Sequence, residues 1–232
     1  MGSTDRSGRP RIYVLQNGPF HLDDNPVDLV RDAQGDVIPV RPGAVLCRCG
    51  RSARQPFCDG THVKIGFSGE KETDGSRDRR KSYVGRRITI HDNRAVCSHA
   101  AYCTDLLPAV FRRYNRPWID ADGAPIDEII RIVEMCPSGA LSYSIDGVEY
   151  RDLDRGPRIV VAETGPYEVT GWVELVDVPW HREVSREHYT LCRCGASRNK
   201  PFCDGAHWQA GDVFCEKKGA PPVEEANNNT PG

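Results

Sequence analysis

The stretch CRCGRSARQPFCDGTH, Cys47 to His62, recurs as CRCGASRNKPFCDGAH, Cys192 to His207. Three cysteines and one histidine keep identical offsets in the frame C-x-C-x2-S-x3-P-x-C-D-G-[T/A]-H. The chain must therefore build the same side-chain geometry twice. Cys47, Cys49, Cys58 and His62 form one set; Cys192, Cys194, Cys203 and His207 form the other. Thiolates and a neutral imidazole are good ligands for zinc or iron. The C-x-C pair can place two thiolates on one metal atom. The Cys and His of C-D-G-x-H, four residues apart across a tight turn, can grip a second. That division suits two irons better than a single zinc, which more usually takes C-x2-C or wider spacing.

The repeat is longer than the frame. RIYVLQNGPF from Arg11 and RIVVAETGPY from Arg158 are β-rich runs closed by Gly-Pro and an aromatic residue. VDLV and DVIPV in the first copy, and YEVTGWVELVDV in the second, read as strands. AVLC and YTLC lead directly into the cysteines. Between the copies, RITIHD reads as a short strand, AAYCTDLLPAVF as a short helix broken at Pro108, and PIDEIIRIVEMC as a helix started by Pro125. LSYSIDGVEY is a hairpin turning at Asp146-Gly147. The expected class is α+β: two β-rich units arranged as a pseudo-dimer, with a small α+β domain between them in sequence. The expected boundaries are a disordered 1–10, a unit over 11–82, a middle domain over 83–152, a second unit over 153–220 and a disordered tail over 221–232.

Ten cysteines in 232 residues need explaining. MGSTDRSGRP carries no apolar leader, and no run of about 18 apolar residues exists. The expectation is a cytoplasmic protein without a membrane span, whose thiols stay reduced and bind metal rather than pair as disulfides. A hydrophobic fraction of 38% fits small units stapled by metal. Lys+Arg 31 against Asp+Glu 33 gives no support to nucleic-acid binding. The basic window Arg77 to Arg87 reads as a solvated turn, with a docking patch for an acidic partner as the alternative. His21, His91, His181 and His188 fit no ligand spacing. Cys215 reads as a packed thiol.

Both sixteen-residue frames resemble the CDGSH iron–sulfur family, with Thr61 and Ala206 where the family has serine. The resemblance implies one 2Fe–2S cluster on each set of three cysteines and one histidine, and a dimer-like β architecture. Structural zinc is the alternative. One imidazole in place of a thiolate makes each cluster less negative and raises its potential, as histidine ligation does in Rieske centres. Acid should displace the histidine, because only a deprotonated nitrogen binds iron. Within the frame, Asp59 and Asp204 are candidates to accept backbone N–H groups, and Pro56 and Pro201 to set the approach to the third cysteine. Arg48 and Arg193 either offset cluster charge or are solvated.

Cys97, Cys103 and Cys136 lie between the frames. RAVCSHAAYCTDLLPAVF…MCPSGALSY resembles single-cluster bacterial ferredoxins, and still more the divergent single-cluster domain that bacteria pair with CDGSH modules. Ala100 stands where a ferredoxin carries its second cysteine. Three cysteines hold three irons of a cubane, so 3Fe–4S is the first expectation. A 4Fe–4S cluster needs another ligand, for which His99 is the neighbouring candidate, and buried cysteines without a cluster are the third possibility. Phe111, Tyr114 and Trp118 read as core or cluster shielding.

The resemblances imply a multi-cluster electron-transfer protein, without a substrate site of its own. It would relay electrons from a reductase to an oxygenase or other metalloenzyme. A cluster carrier or a redox or pH sensor is the alternative function. No P-loop, Rossmann glycine pattern or nucleophile elbow occurs. The expected state is a monomer with an internal pseudo-dimer, or a homodimer.

Overall fold

The computed structural model describes residues 8–23 and 26–210. The expectations for residues 1–7, for Cys215 and for the tail 221–232 fall outside the described residues. The described chain is mostly β, with three four-stranded sheets and few helices. The α+β expectation holds in part: the helices are few and short, for a local reason. The AAYC segment makes only a five-residue helix, α2 (Tyr102–Leu106), before Pro108 removes a backbone donor. The first CDGTH turn yields only a four-residue helix, α1 (Thr61–Lys64). The second helical pattern holds as α3 (Ile126–Glu134), entered at Pro125.

Each repeat begins as an antiparallel hairpin. β1 (Arg11–Val14) pairs with β2 (Phe20–Asp23), and β9 (Arg158–Val161) with β10 (Tyr167–Thr170). Alternation sends Phe20 and Leu22 inward from β2, and Tyr167 and Val169 inward from β10. β4 (Val45–Leu46) and β12 (Tyr189–Leu191) join the outer edges and carry the chain into the cysteines.

The remaining strands change places. β3 (Val30–Arg31), from the first repeat, pairs in parallel with β9 of the second, Val30 opposite Ile159. β11 (Glu174–Val176), from the second repeat, pairs in parallel with β1 of the first, Ile12 opposite Leu175. The sheets therefore run β11-β1-β2-β4 and β12-β10-β9-β3, each holding one strand lent by the other repeat. A single core joins them: Ile12, Phe20, Leu22, Ile159, Tyr167 and Val169 share one cluster. The equivalent rings Phe20 and Tyr167 meet edge to face at 6.1 Å.

The middle segment forms a third sheet, β5 (Arg80–Val84), β6 (Thr89–Asn93), β7 (Leu141–Ile145) and β8 (Val148–Tyr150), in that order. Asp146 and Gly147 take φ 50° and 80°, the left-handed pair a tight hairpin requires. Ile129, Ile132 and Val133 of α3 pack with Ile90, Leu141 and Phe111. Arg80–Val84 of the basic window form an edge strand between a turn and a bend, with Arg80 bridged to Glu149 at 2.7 Å. Charged residues on an edge oppose unwanted strand pairing. The aromatic set divides: Phe111 is core, Trp118 is half-buried and Tyr114 is 88% exposed.

Candidate metal centres

Each clamp is a loop closed on its own backbone. Cys47 N–H donates to the Pro56 carbonyl at 2.7 Å, and Cys58 N–H donates to Val45 at 2.9 Å. The second copy repeats this with Cys192 to Pro201 at 2.8 Å and Cys203 to Thr190 at 3.1 Å. The conserved-offset serines lock the loop interior: Ser52 donates to the Phe57 carbonyl at 2.6 Å, and Ser197 to Phe202 at 2.7 Å. The aspartates fill the role their place in the frame indicates. Asp59 accepts from Thr61 and Ala53 N–H at 3.0 and 2.9 Å; Asp204 accepts from Ala206 and Arg198 at 3.0 and 2.9 Å. The hydrogen bonds from Thr61 and Ala53 hold the Asp59 carboxyl far below its ordinary pKa. Gly60 and Gly205 both turn at φ 85°, which swings the following histidine back toward the third cysteine.

The donor atoms gather as pairs. Cys47 and Cys49 sulfurs stand 3.8 Å apart, Cys192 and Cys194 sulfurs 3.7 Å. Two thiolates on one tetrahedral metal at about 2.3 Å each stand about 3.8 Å apart. Cys58 Sγ lies 3.3 Å from His62 Nδ1, and Cys203 Sγ 3.4 Å from His207 Nδ1, so Nδ1 is the nitrogen offered. No group of three or more His, Cys, Asp or Glu side chains among the described residues could hold a single metal ion. The donors fit a cluster with two metal atoms, one on each pair. All nine described cysteines are free.

Arg48 and Arg193 are not solvated. Both are buried and donate to backbone carbonyls, Arg48 to Gly69 at 2.7 Å and Arg193 to Ala162 at 2.6 Å. Burial lowers both guanidinium pKa values, against the opposite clamp's thiols, Cys192 near Arg48 and Cys47 near Arg193. The two clamps thus face one another across the shared core. Tyr167 fixes the contact from the second repeat, donating to the carbonyls of Cys47 and Pro56 at 2.8 and 3.0 Å.

Cys97, Cys103 and Cys136 line a single cavity of about 530 Å³, with Arg94 and Trp118 on its wall. The loop between the first two thiols carries His99 and Ala101 at φ 56° and 65°. Such left-handed non-glycine residues persist where surrounding structure enforces them, commonly at ligand sites. Arg94 stacks on Trp118 at 4.8 Å, and its charge faces all three thiols. A cation there favours an anionic cluster. Burial pushes the metal-free thiols of Cys97 and Cys103 up to about 11 and 12, and Cys203 up to about 12. Loading must therefore expel protons, and metal uptake strengthens with rising pH. The other histidines have structural partners: His91 lies between Ser82 and Ser144, His181 against Asn199, and His188 beside Ser185 and Glu187.

Residues 17–63 and 164–208 match the iron-binding zinc finger CDGSH type. The chain carries two CDGSH iron-binding domains. Its two CDGSH domains flank a divergent 4Fe–4S mono-cluster domain, matched over residues 83–146. The chain is accordingly an iron–sulfur cluster-binding protein. It is 32% identical over 63 residues to the uncharacterized protein YjdI of Escherichia coli strain K12, spanning 27% of this chain and 83% of YjdI. The YjdI of Escherichia coli O157:H7 matches over the same share. No solved structure matches. No described helix is long and apolar enough to cross a membrane.

The two CDGSH domains differ in their histidines. His207 is buried, and His62 is the more exposed. Burial disfavours the imidazolium and lowers the metal-free His207 pKa from 6.5 to about 4. His207 thus keeps a neutral, binding nitrogen until pH falls toward 4. Acid should release the second clamp's cluster at a lower pH than the first's. Titrating Cys58→Ala and Cys203→Ala, each retaining one clamp, by visible absorbance checks the order; equal midpoints would refute it.

Two contributors gave no signal in the sequence. Arg94 is one of many arginines, and Tyr167 stands where the first repeat has Phe20. Asn199 and Trp208 were detectable in principle, because the first copy has Arg54 and Val63 at their positions.

Proposed function

We propose that this protein is a three-cluster electron carrier with no substrate of its own. The single observation that supports the reading most is proximity: Gly205, two residues from Cys203, packs against the imidazole of His99, two residues from Cys97. The CDGSH ligand sets are proposed to hold 2Fe–2S clusters, on Cys47, Cys49, Cys58 and His62, and on Cys192, Cys194, Cys203 and His207. Cys97, Cys103 and Cys136 are proposed to hold a 4Fe–4S cluster, in keeping with the family matched by the middle domain, with a solvent ligand from the cavity completing the fourth iron. The thiolate count alone favours 3Fe–4S. Bound clusters supply one-electron redox chemistry; the chain's residues set their charge environment and exclude water. Arg94 offsets anionic charge at the centre, while burial keeps Cys203 and His207 away from solvent.

Electrons would come from a reductase and leave to an oxygenase or other metalloenzyme, in the cytoplasm. The reciprocal exchange of β3 and β11 supports a monomer containing its own pseudo-dimer. The rival reading is a cluster carrier or a redox or pH sensor, favoured by the partly exposed Cys58 and His62 pair. Anaerobic iron and sulfide analysis with EPR should give about eight irons per chain, with about seven pointing to 3Fe–4S. A carrier would lose iron to an apo-acceptor, whereas a relay retains it over repeated reduction cycles. A colourless, zinc-loaded protein would overturn the proposal.

A further inference from the structure

The three ligand sets are not evenly spaced. Gly205, inside the second CDGSH turn, meets the imidazole of His99: a Cβ placed on Gly205 would stand 2.7 Å from His99 Cδ2. Gly60, its equivalent in the first clamp, meets nothing within 4 Å. His99 is two residues from Cys97 and lines the central cavity. Its carbonyl accepts from Trp208 Nε1 at 3.1 Å, and Trp208 lies beside the His207 ring, centroids 5.2 Å apart. Asn199 of the same clamp donates to the Ala95 carbonyl at 2.8 Å. Val96, Cys97 and Cys136 share a small apolar cluster with Val184 and Trp180 of the second repeat.

The residues that make this contact differ between the copies. Arg54, exposed, replaces Asn199, and Val63, 75% exposed, replaces Trp208. The first clamp therefore lacks the docking pair although its ligand frame is intact.

We infer that the central centre is joined electronically to the second clamp and not directly to the first, with His99, Asn199 and Trp208 as the positioning residues. His99 acts as a packed spacer between the centres and is not a ligand to the central cluster. The inference rests on the electron-carrier reading and gives it an order: centre, second clamp, first clamp. With clusters bound, the residues Cys97, Cys103 and Cys136 would hold the donor, which would lose one electron, and Cys192, Cys194, Cys203 and His207 would hold the acceptor, which would gain it. A one-electron reductase would refill the first. The exposed edge at His62, Val63 and Ile65 is then the exit.

The test is low-temperature EPR of the dithionite-reduced full chain. Two nearby paramagnets split or broaden each other's signals. The central signal should be broadened in the native chain and in Cys58→Ala, and should sharpen in Cys203→Ala. Sharpening in Cys58→Ala alone, or in neither, overturns the inference. If Cys203→Ala does not fold, the double variant Asn199→Arg/Trp208→Val, which installs the first clamp's residues, should weaken the broadening with iron content unchanged. Full broadening in that variant also overturns the inference. His99→Ala should retain full iron and sulfide; loss of iron from the centre would make it a ligand and defeat the spacer role. Failure of the carrier reading looks different: broadening would stand in chemically reduced protein, yet a reductase would leave the CDGSH clusters oxidised.

Discussion

Gly195→Ala should destabilise the protein by about 2–5 kcal/mol, read as a lower urea midpoint with an unchanged slope. Gly195 sits in the second clamp at φ 79°. A Cβ there would stand 2.5 Å from the carbonyl oxygen of Cys49 in the first clamp. Two costs combine. Left-handed backbone costs an L-residue roughly 1–2 kcal/mol. Forcing an extra carbon into a packed backbone contact costs about 1–3 kcal/mol more, since a carbonyl cannot swing aside as a side chain can. Gly60→Ala is the control. It has the same left-handed strain, φ 85°, but open space around it, so only the first cost applies. Equal losses for the two variants would mean that the clamps do not touch through Gly195. The expected difference shows how closely the two ligand loops are pressed together.

That contact explains what was legible in the sequence and what was not. The ligand frame could be read because metal chemistry needs particular side chains at particular offsets, and both copies carry all of them. The hairpins could be read because Phe20, Leu22, Tyr167 and Val169 alternate. The Asp146-Gly147 turn and the α3 stripe follow from equally local rules. The strand exchange is different in kind. Val30–Arg31 is a two-residue strand whose partner lies far along the chain, and no periodicity in so short a run names that partner. Likewise Arg48 and Arg193 look like surface charges by composition. They are buried because the carbonyls of Leu15, Gly69, Ala162 and Gly165 converge on them from the neighbouring hairpins. AAYCTDLLPAVF, by contrast, is local: Pro108 stops a short helix, and α2 ends at Leu106.

The asymmetry between the copies could be seen in the letters, but not what it meant. Arg54 and Asn199, or Val63 and Trp208, are ordinary variation inside a repeat until the middle domain is seen resting on one copy. The segment leaving the first repeat reinforces this, since Glu72 N–H donates to the Arg198 carbonyl at 2.8 Å and Thr73 donates to Asn199 at 3.2 Å. One repeat is thereby an interior site, and the other stays at the surface. That division gives the two matching ligand sets different solvent exposure, and hence different acid sensitivity, without changing a ligand.

Glu187→Ala should cost about 3–5 kcal/mol, because it strips the partner from a buried charge network. Glu187 is fully buried. Its carboxylate accepts from Arg155 Nε and Nη2 at 3.0 and 2.7 Å, from Gly171 N–H at 2.9 Å and from Leu153 N–H at 3.4 Å. It also lies 2.8 Å from His188 Nδ1. Leu153 and Arg155 belong to the strap between the middle domain and the second CDGSH domain, so one carboxylate ties the strap to the sheet. Burial alone would raise its pKa, but His188, Arg155 and Gly171 outweigh that and hold it at about 2 against an ordinary 4.5. The sign follows from linkage: this stabilisation is present above pH 4.5 and is lost as pH falls from there toward 2. Glu187→Gln, which keeps the shape without the charge, should therefore lose stability at neutral pH and show a shallower acid dependence across that window. Arg155→Leu should cost less than Glu187→Ala, since Gly171 and His188 still satisfy the carboxylate. If Arg155→Leu costs as much as Glu187→Ala, the arginine alone holds the strap. The stabilisation would then belong to one ion pair rather than to a network that also fixes Gly171 and the β-sheet edge beside it.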